Sequence, residues 1–171
     1  MARVTAPRDT GFGGRVAPFL STLLFVLVSV VPLQIPGFAA VTPSFALMAV
    51  FHWTTYRPDL LPNSAVFVLG LLLDLLNGSP YLGVSALMLL VARTAVLVER
   101  RHFVNRSFAT LWLGFLALAA GTFAFGWALV SALRGQILGT RPFIFEAVLT
   151  VACYPVGSWL LARLHRALVR A

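Results

Sequence analysis

A chain of 171 residues that is 60% hydrophobic and only 11% charged, with a mean hydropathy of +0.92, carries more apolar surface than one water-soluble core can hide. A soluble domain has about a quarter of its residues charged, so composition overrides a length that would suit one or two soluble domains, and lipid is the expected solvent for much of the surface. The net charge of +8 comes from thirteen arginines against five acids. These arginines stand at the ends of apolar runs rather than in a patch, which argues against nucleic acid as a partner and for orientation in a membrane. Cys153 is the single cysteine, so an internal disulfide framework is excluded.

From Val16 to Tyr56 no residue is charged, and Pro32, Pro36, Gly37 and Pro43 divide the stretch. This predicts a first span over 16–31 and a second over 43–56, with Pro43 suited to a first helical position. Gly37-Phe38-Ala39 faintly resembles a signal-peptide cleavage site. The apolar run before it exceeds the roughly 7–15 residues of a signal core, and more spans follow, so an uncleaved anchor is expected. The third span reads 60–76, introduced by Pro58-Asp59 and closed by Asn77-Gly78-Ser79-Pro80. The fourth reads 81–98, the fifth 108–133 and the sixth 143–164.

A bilayer crossing needs about 17–25 apolar residues, and the second segment, 43–56, is shorter, so it reads either as a span or as re-entrant. Charge decides between them. Six spans with both termini in the cytoplasm place Arg3, Arg8, Arg15, Arg57, Arg100, Arg101, Arg106, Arg163, Arg166 and Arg170 inside. Only Arg134 and Arg141 fall outside, whereas five spans scatter the arginines over both faces. The expected fold class is an all-α integral membrane protein, one six-transmembrane-helix bundle over residues 1–171.

Ionisable groups in a bilayer cost about 2.5–3.5 kcal/mol each on an insertion scale, so Asp74, Arg93 and Glu146 stand out. Asp74 lies near the outer end of the third helix and Glu146 about one turn into the sixth, at similar depth. Either they form an outer polar cluster with Arg141 and Arg134, or each acid is separately hydrated among the headgroups. Arg93 either snorkels to the inner headgroups or pairs with Glu99 or Asp59. Ala120, Ala124, Ala128 and Ala132 recur every four residues on the fifth helix, a small-residue face that lets helix backbones approach. That face is expected to pack inside the bundle, with a partner's transmembrane helix as the other reading.

His52, His102 and His165 are scattered and match no metal-ligand spacing, and no phosphate-loop, nucleophile-elbow or zinc-protease motif occurs. His52 and Trp53 read as packing and interface residues. No catalytic residue, cofactor site or metal site is therefore assigned. Asn105-Arg106-Ser107 matches a glycosylation acceptor but faces the cytoplasm in this topology.

Pro43, Trp53 and Pro58 lead into Gly70-Leu71-Leu72-Leu73-Asp74-Leu75-Leu76-Asn77-Gly78 and then Leu82-Gly83-Val84-Ser85-Ala86-Leu87, with Arg141-Pro142 and Tyr154-Pro155 later. This pattern resembles the rod shape-determining protein MreD family of bacterial inner membranes, with Gly70, Asp74, Gly78, Gly83 and Pro155 as the motif positions. Thr42 departs from it, since family members often carry arginine before the proline that opens the second helix. If that arginine normally pairs with an outer acid, Arg141 or Arg134 takes its place here. The resemblance implies a non-enzymatic, multi-pass inner-membrane scaffold of the cell-elongation (rod) complex, serving cell shape and lateral peptidoglycan synthesis. It implies contacts with MreC, and association with MreB, RodA and the partner transpeptidase of RodA. It also implies a fold similar to the membrane substrate-binding subunits of energy-coupling-factor transporters. The alternative is such a vitamin-transporter subunit, against which the first helix lacks the Ala-x-x-x-Ala docking pattern.

Overall fold

The computed structural model describes residues 12–30, 42–103 and 108–169, with side chains described over 18–30, 42–100 and 108–164. Six helices follow one another: α1 (Phe12–Ser29), α2 (Phe45–Tyr56), α3 (Asn63–Leu76), α4 (Val84–Phe103), α5 (Phe108–Arg134) and α6 (Arg141–Val169). A single 3₁₀ turn, Pro58–Leu60, links α2 to α3, and no strand occurs among the described residues. Two helices, α5 and the Arg141–Leu164 part of α6, are long and apolar enough to cross a membrane. The breaks around Pro32, Pro36 and Gly37 and the Asn105-Arg106-Ser107 sequence lie outside the described residues.

The helices differ from expectation at their starts for local reasons. The third begins at Asn63 rather than 60 because Pro62 takes an extended conformation (φ −67°, ψ 163°) and disfavours helix at Leu61 before it. The fourth begins at Val84 rather than 81 because Gly83 has φ +98°, which no continuing helix accepts. Pro18 sits inside α1, which starts at Phe12, four residues earlier than expected.

The short second segment is the centre of the bundle. Every residue from Ala46 to Thr55 is buried, with α1, α4 and α6 packed around it. A helix that is apolar on all sides belongs in such a position. Phe51 meets Phe115 edge-on at 5.2 Å and Tyr154 at 5.8 Å, while Phe115 and Tyr154 stack at 4.2 Å. Trp53, expected near an interface, is 1% exposed, and its indole N–H donates to Ser21 Oγ at 2.9 Å.

A short buried helix has unsatisfied backbone groups at both ends, and neighbouring helices supply their partners. The Ala46 N–H donates to Ser29 Oγ of α1 at 3.2 Å, and the Ser44 N–H donates to Thr150 Oγ1 of α6 at 2.9 Å. At the other end, Arg100 Nε of α4 donates to the Thr55 carbonyl at 3.0 Å. Arg93, one heptad earlier on α4, donates from Nε to Leu61 O at 3.0 Å, from Nη2 to Pro58 O at 3.3 Å, and from Nη1 to Asn63 Oδ1. Arg93 is 7% exposed, so it does not snorkel as expected; its guanidinium holds the turn between α2 and α3.

Pro155 lies inside α6 and cannot donate to the carbonyl four residues back, that of Val151. The Trp112 indole N–H of α5 takes up that carbonyl at 3.2 Å. Trp112→Phe keeps the ring and removes the donor. It is expected to cost about 1 kcal/mol, seen as a lower unfolding midpoint in detergent, whereas Trp112→Phe in a Pro155→Ala background costs less because the helix then supplies its own donor.

Candidate functional site

The motif from Gly70 to Gly83 builds one tight turn between α3 and α4. The two helices touch backbone to backbone at Gly70: a Cβ there would lie 2.3 Å from Ala86 Cα and 2.7 Å from its nitrogen. One turn on, the Asp74 carboxylate, 1% exposed, reaches the start of α4. Its Oδ2 accepts the Gly83 N–H at 2.8 Å, and both oxygens accept the Ser85 N–H at 3.1 Å. These are unsatisfied donors of a helix N-terminus, where the aligned peptide dipoles also favour negative charge. Gly78, at φ +61°, closes α3: its N–H donates to Leu75 O at 3.2 Å and the Ser79 N–H to Asp74 O at 3.0 Å. That pair of bonds is the Schellman arrangement, which a left-handed glycine permits.

Asp74 and Glu146 face the same cavity, of about 230 Å³, with Asn77, Ser85 and Thr122 also on its wall. The structure thus brings the two acids together. Arg134 and Arg141 are exposed and stand off that wall, and no ion pair joins either to Asp74 or Glu146 among the described residues. Separate hydration does not describe Asp74 either, since its oxygens are occupied by backbone donors.

The alanine face of α5 points the other way from expectation. Ala120, Ala124, Ala128 and Ala132 are all exposed, while the buried face of α5 is Leu111, Phe115, Ala119, Thr122, Phe123 and Gly126. Met88 of α4 seats on Gly126, where a Cβ would come within 2.6 Å of its sulfur. Ala120 and Ala124 instead line an open apolar groove of about 670 Å³ between α5 and α6, with Trp112 and Trp127 also on its wall. Lipid is as apolar as a helix interior, so small residues need not turn inward.

Several contacts escaped sequence reasoning. Arg93 was singled out but not its role beside Arg100; the two lie seven apart, two turns of one face, which was a signal for a shared role. Ser29, Thr122 and Thr150 are single hydroxyls in apolar runs, and the spacing of Trp112 from Pro155 reveals nothing before the helices are paired. Cys153 is a half-buried free thiol, and no group of three or more His, Cys, Asp or Glu side chains suited to a metal occurs among the described residues.

The sequence profile of the rod shape-determining protein MreD family matches residues 14–163. The chain belongs to the MreD family. No curated protein and no solved structure matches it. Membership places this MreD protein in the rod-shape-determining system, as one of its membrane proteins. The motif positions Gly70, Asp74, Gly78, Gly83 and Pro155 all fall inside the matched region.

Two substitutions probe the α3–α4 turn. Gly70→Ala forces the two backbones apart and is expected to cost about 1–3 kcal/mol, as overpacking does. Asp74→Ala leaves the Gly83 and Ser85 donors without a partner, at about 1.5–3 kcal/mol for bonds to a charged acceptor. Both show as lower unfolding midpoints of the purified protein. An Asp74→Ala protein with the native midpoint means that the turn is held by something other than this carboxylate.

Proposed function

We propose that this MreD protein is a non-enzymatic scaffold of the cell-elongation complex in the bacterial inner membrane, contacting MreC and, within the same complex, MreB, RodA and its partner transpeptidase. The single observation that carries this reading is the family match over residues 14–163. The architecture supports a role through helix surfaces: six helices fill most of the chain, and α5 and α6 are joined by only residues 135–140. The alanine face of α5 is the surface offered to a transmembrane helix of MreC. It is exposed, it borders an apolar groove, and its small side chains admit a close backbone approach.

The orientation that goes with this role has both termini in the cytoplasm, supported by ten arginines on that side against Arg134 and Arg141 on the other. Gln136, exposed in the α5–α6 turn, then faces outward. A Gln136→Cys protein carrying Cys153→Ser is expected to react with a membrane-impermeant maleimide in intact spheroplasts. Protection until the cells are opened reverses the proposed topology.

A vitamin-transporter subunit is the other reading, and the cavity beside Asp74 and Glu146 is the feature that favours it. At about 230 Å³ that cavity is smaller than the roughly 300–1,000 Å³ of sites for drug-sized ligands. Depletion of the protein separates the two. Rounded cells with unchanged vitamin uptake are expected, and an Ala120→Leu/Ala124→Leu protein made at normal level is expected not to restore rods or co-purify with MreC. Depleted cells that stay rod-shaped and lose uptake overturn the scaffold role.

A further inference from the structure

The cavity between the α3–α4 turn and α6 holds polar groups that the fold itself leaves without partners. Thr122 is 3% exposed, yet its hydroxyl makes no hydrogen bond with any described residue. Other helical threonines bond to the carbonyl four residues back: Thr22 at 2.7 Å, Thr55 at 2.8 Å, Thr94 at 2.8 Å and Thr150 at 2.6 Å. Thr54 also lacks a partner, but it lies off this wall, in the core around α2. The Glu146 carboxyl, on the same wall as Thr122, is likewise unpaired among the described residues; only its backbone carbonyl is engaged, by Thr150. Asp74 contributes a second carboxylate, already fixed by the Gly83 and Ser85 N–H groups.

The Thr122 hydroxyl and the Glu146 carboxyl are thus left to whatever occupies the cavity rather than to a partner within the fold. Proteins satisfy such groups with something that enters. No arginine or histidine stands on the cavity wall, and the nearest arginines in sequence to Glu146, Arg141 and Arg134, are exposed. A wall with two carboxyls, a free hydroxyl and no cation is complementary to a cationic N–H donor. Exposed Asn77 among the lining residues places one edge of the cavity at the protein surface.

We infer that this cavity binds an ammonium or guanidinium head group through Glu146 and Thr122. The volume of about 230 Å³ suits a head group rather than a whole vitamin. The head group arrives either on a free small molecule or at the end of a basic side chain of a partner. The site goes beyond the scaffold role and stands or falls independently of cell shape.

The test uses the purified full chain and follows its thermal unfolding midpoint during titration with methylguanidinium, kept below denaturing concentrations. Methylurea, of nearly the same shape without the charge, is the control. A saturable rise with methylguanidinium alone is expected. Glu146→Gln is expected to weaken binding tenfold or more, and Thr122→Val by a smaller factor, with both variants retaining the native midpoint without ligand or exceeding it. Saturation at micromolar concentration marks a free ligand. Saturation only at millimolar concentration marks a tethered side chain, because tethering supplies an effective concentration in about the millimolar range. Equal shifts with methylurea, no shift, or binding that survives both substitutions overturns the inference.

Discussion

Helix α2 is enclosed by other helices along the ten residues from Ala46 to Thr55, and its end groups must therefore be met by side chains rather than by water. At about 1.5 Å per residue its twelve residues extend only about 18 Å, well short of a bilayer core of roughly 30 Å. Each neighbour that surrounds it gives up a polar atom for this purpose: Ser29 from α1, Thr150 from α6 and Arg100 from α4. These contacts fix the rotation and height of three helices about one axis. Apolar packing alone does this poorly, since lipid chains compete for the same leucine and phenylalanine surfaces.

The same logic fixes α4 at both ends. A carboxylate from α3 meets its first N–H groups, and its own guanidiniums at Arg93 and Arg100 reach carbonyls at the far end of α2 and in the turn beyond. Gly70 then allows α3 to lie against α4 with no side chain between the backbones. Gly70, Asp74 and Gly83 are thus first of all a device for placing α4.

Much of this was legible in the sequence. All six helices were expected, and their described limits fall within about five residues of the expected ones, because proline, Gly78 and Gly83 mark boundaries whatever the solvent. Asp74 was singled out for its place near the end of the third helix, and the structure gives it a different kind of partner from the one expected. Its depth suggested an ionic partner, whereas its nearest donors are backbone N–H groups eleven or fewer residues away. Sequence patterns assign side-chain partners to charges and overlook the chain itself. Arg93 misled in the same way, since carbonyls of a turn and one asparagine side chain took the place of an acid.

What stayed hidden was the rotation of each helix. In water, hydrophobic periodicity points inward, but here both the core face and the outer face of α5 are apolar, so Ala120 and Ala124 looked like interior residues. The polar atoms carry the missing information. Thr122 marks a face of α5 directed at a polar cavity, Trp112 marks the face toward the broken turn of α6, and the alanines occupy what is left. In a chain with so few polar groups, one that lacks a partner and faces a cavity is consequently a stronger pointer to a further contact than an apolar surface. Glu146 and Thr122 outrank the larger groove for that reason: the groove is lined by apolar residues and Thr140, which lipid chains or a helix can cover alike, whereas the cavity wall carries polar groups.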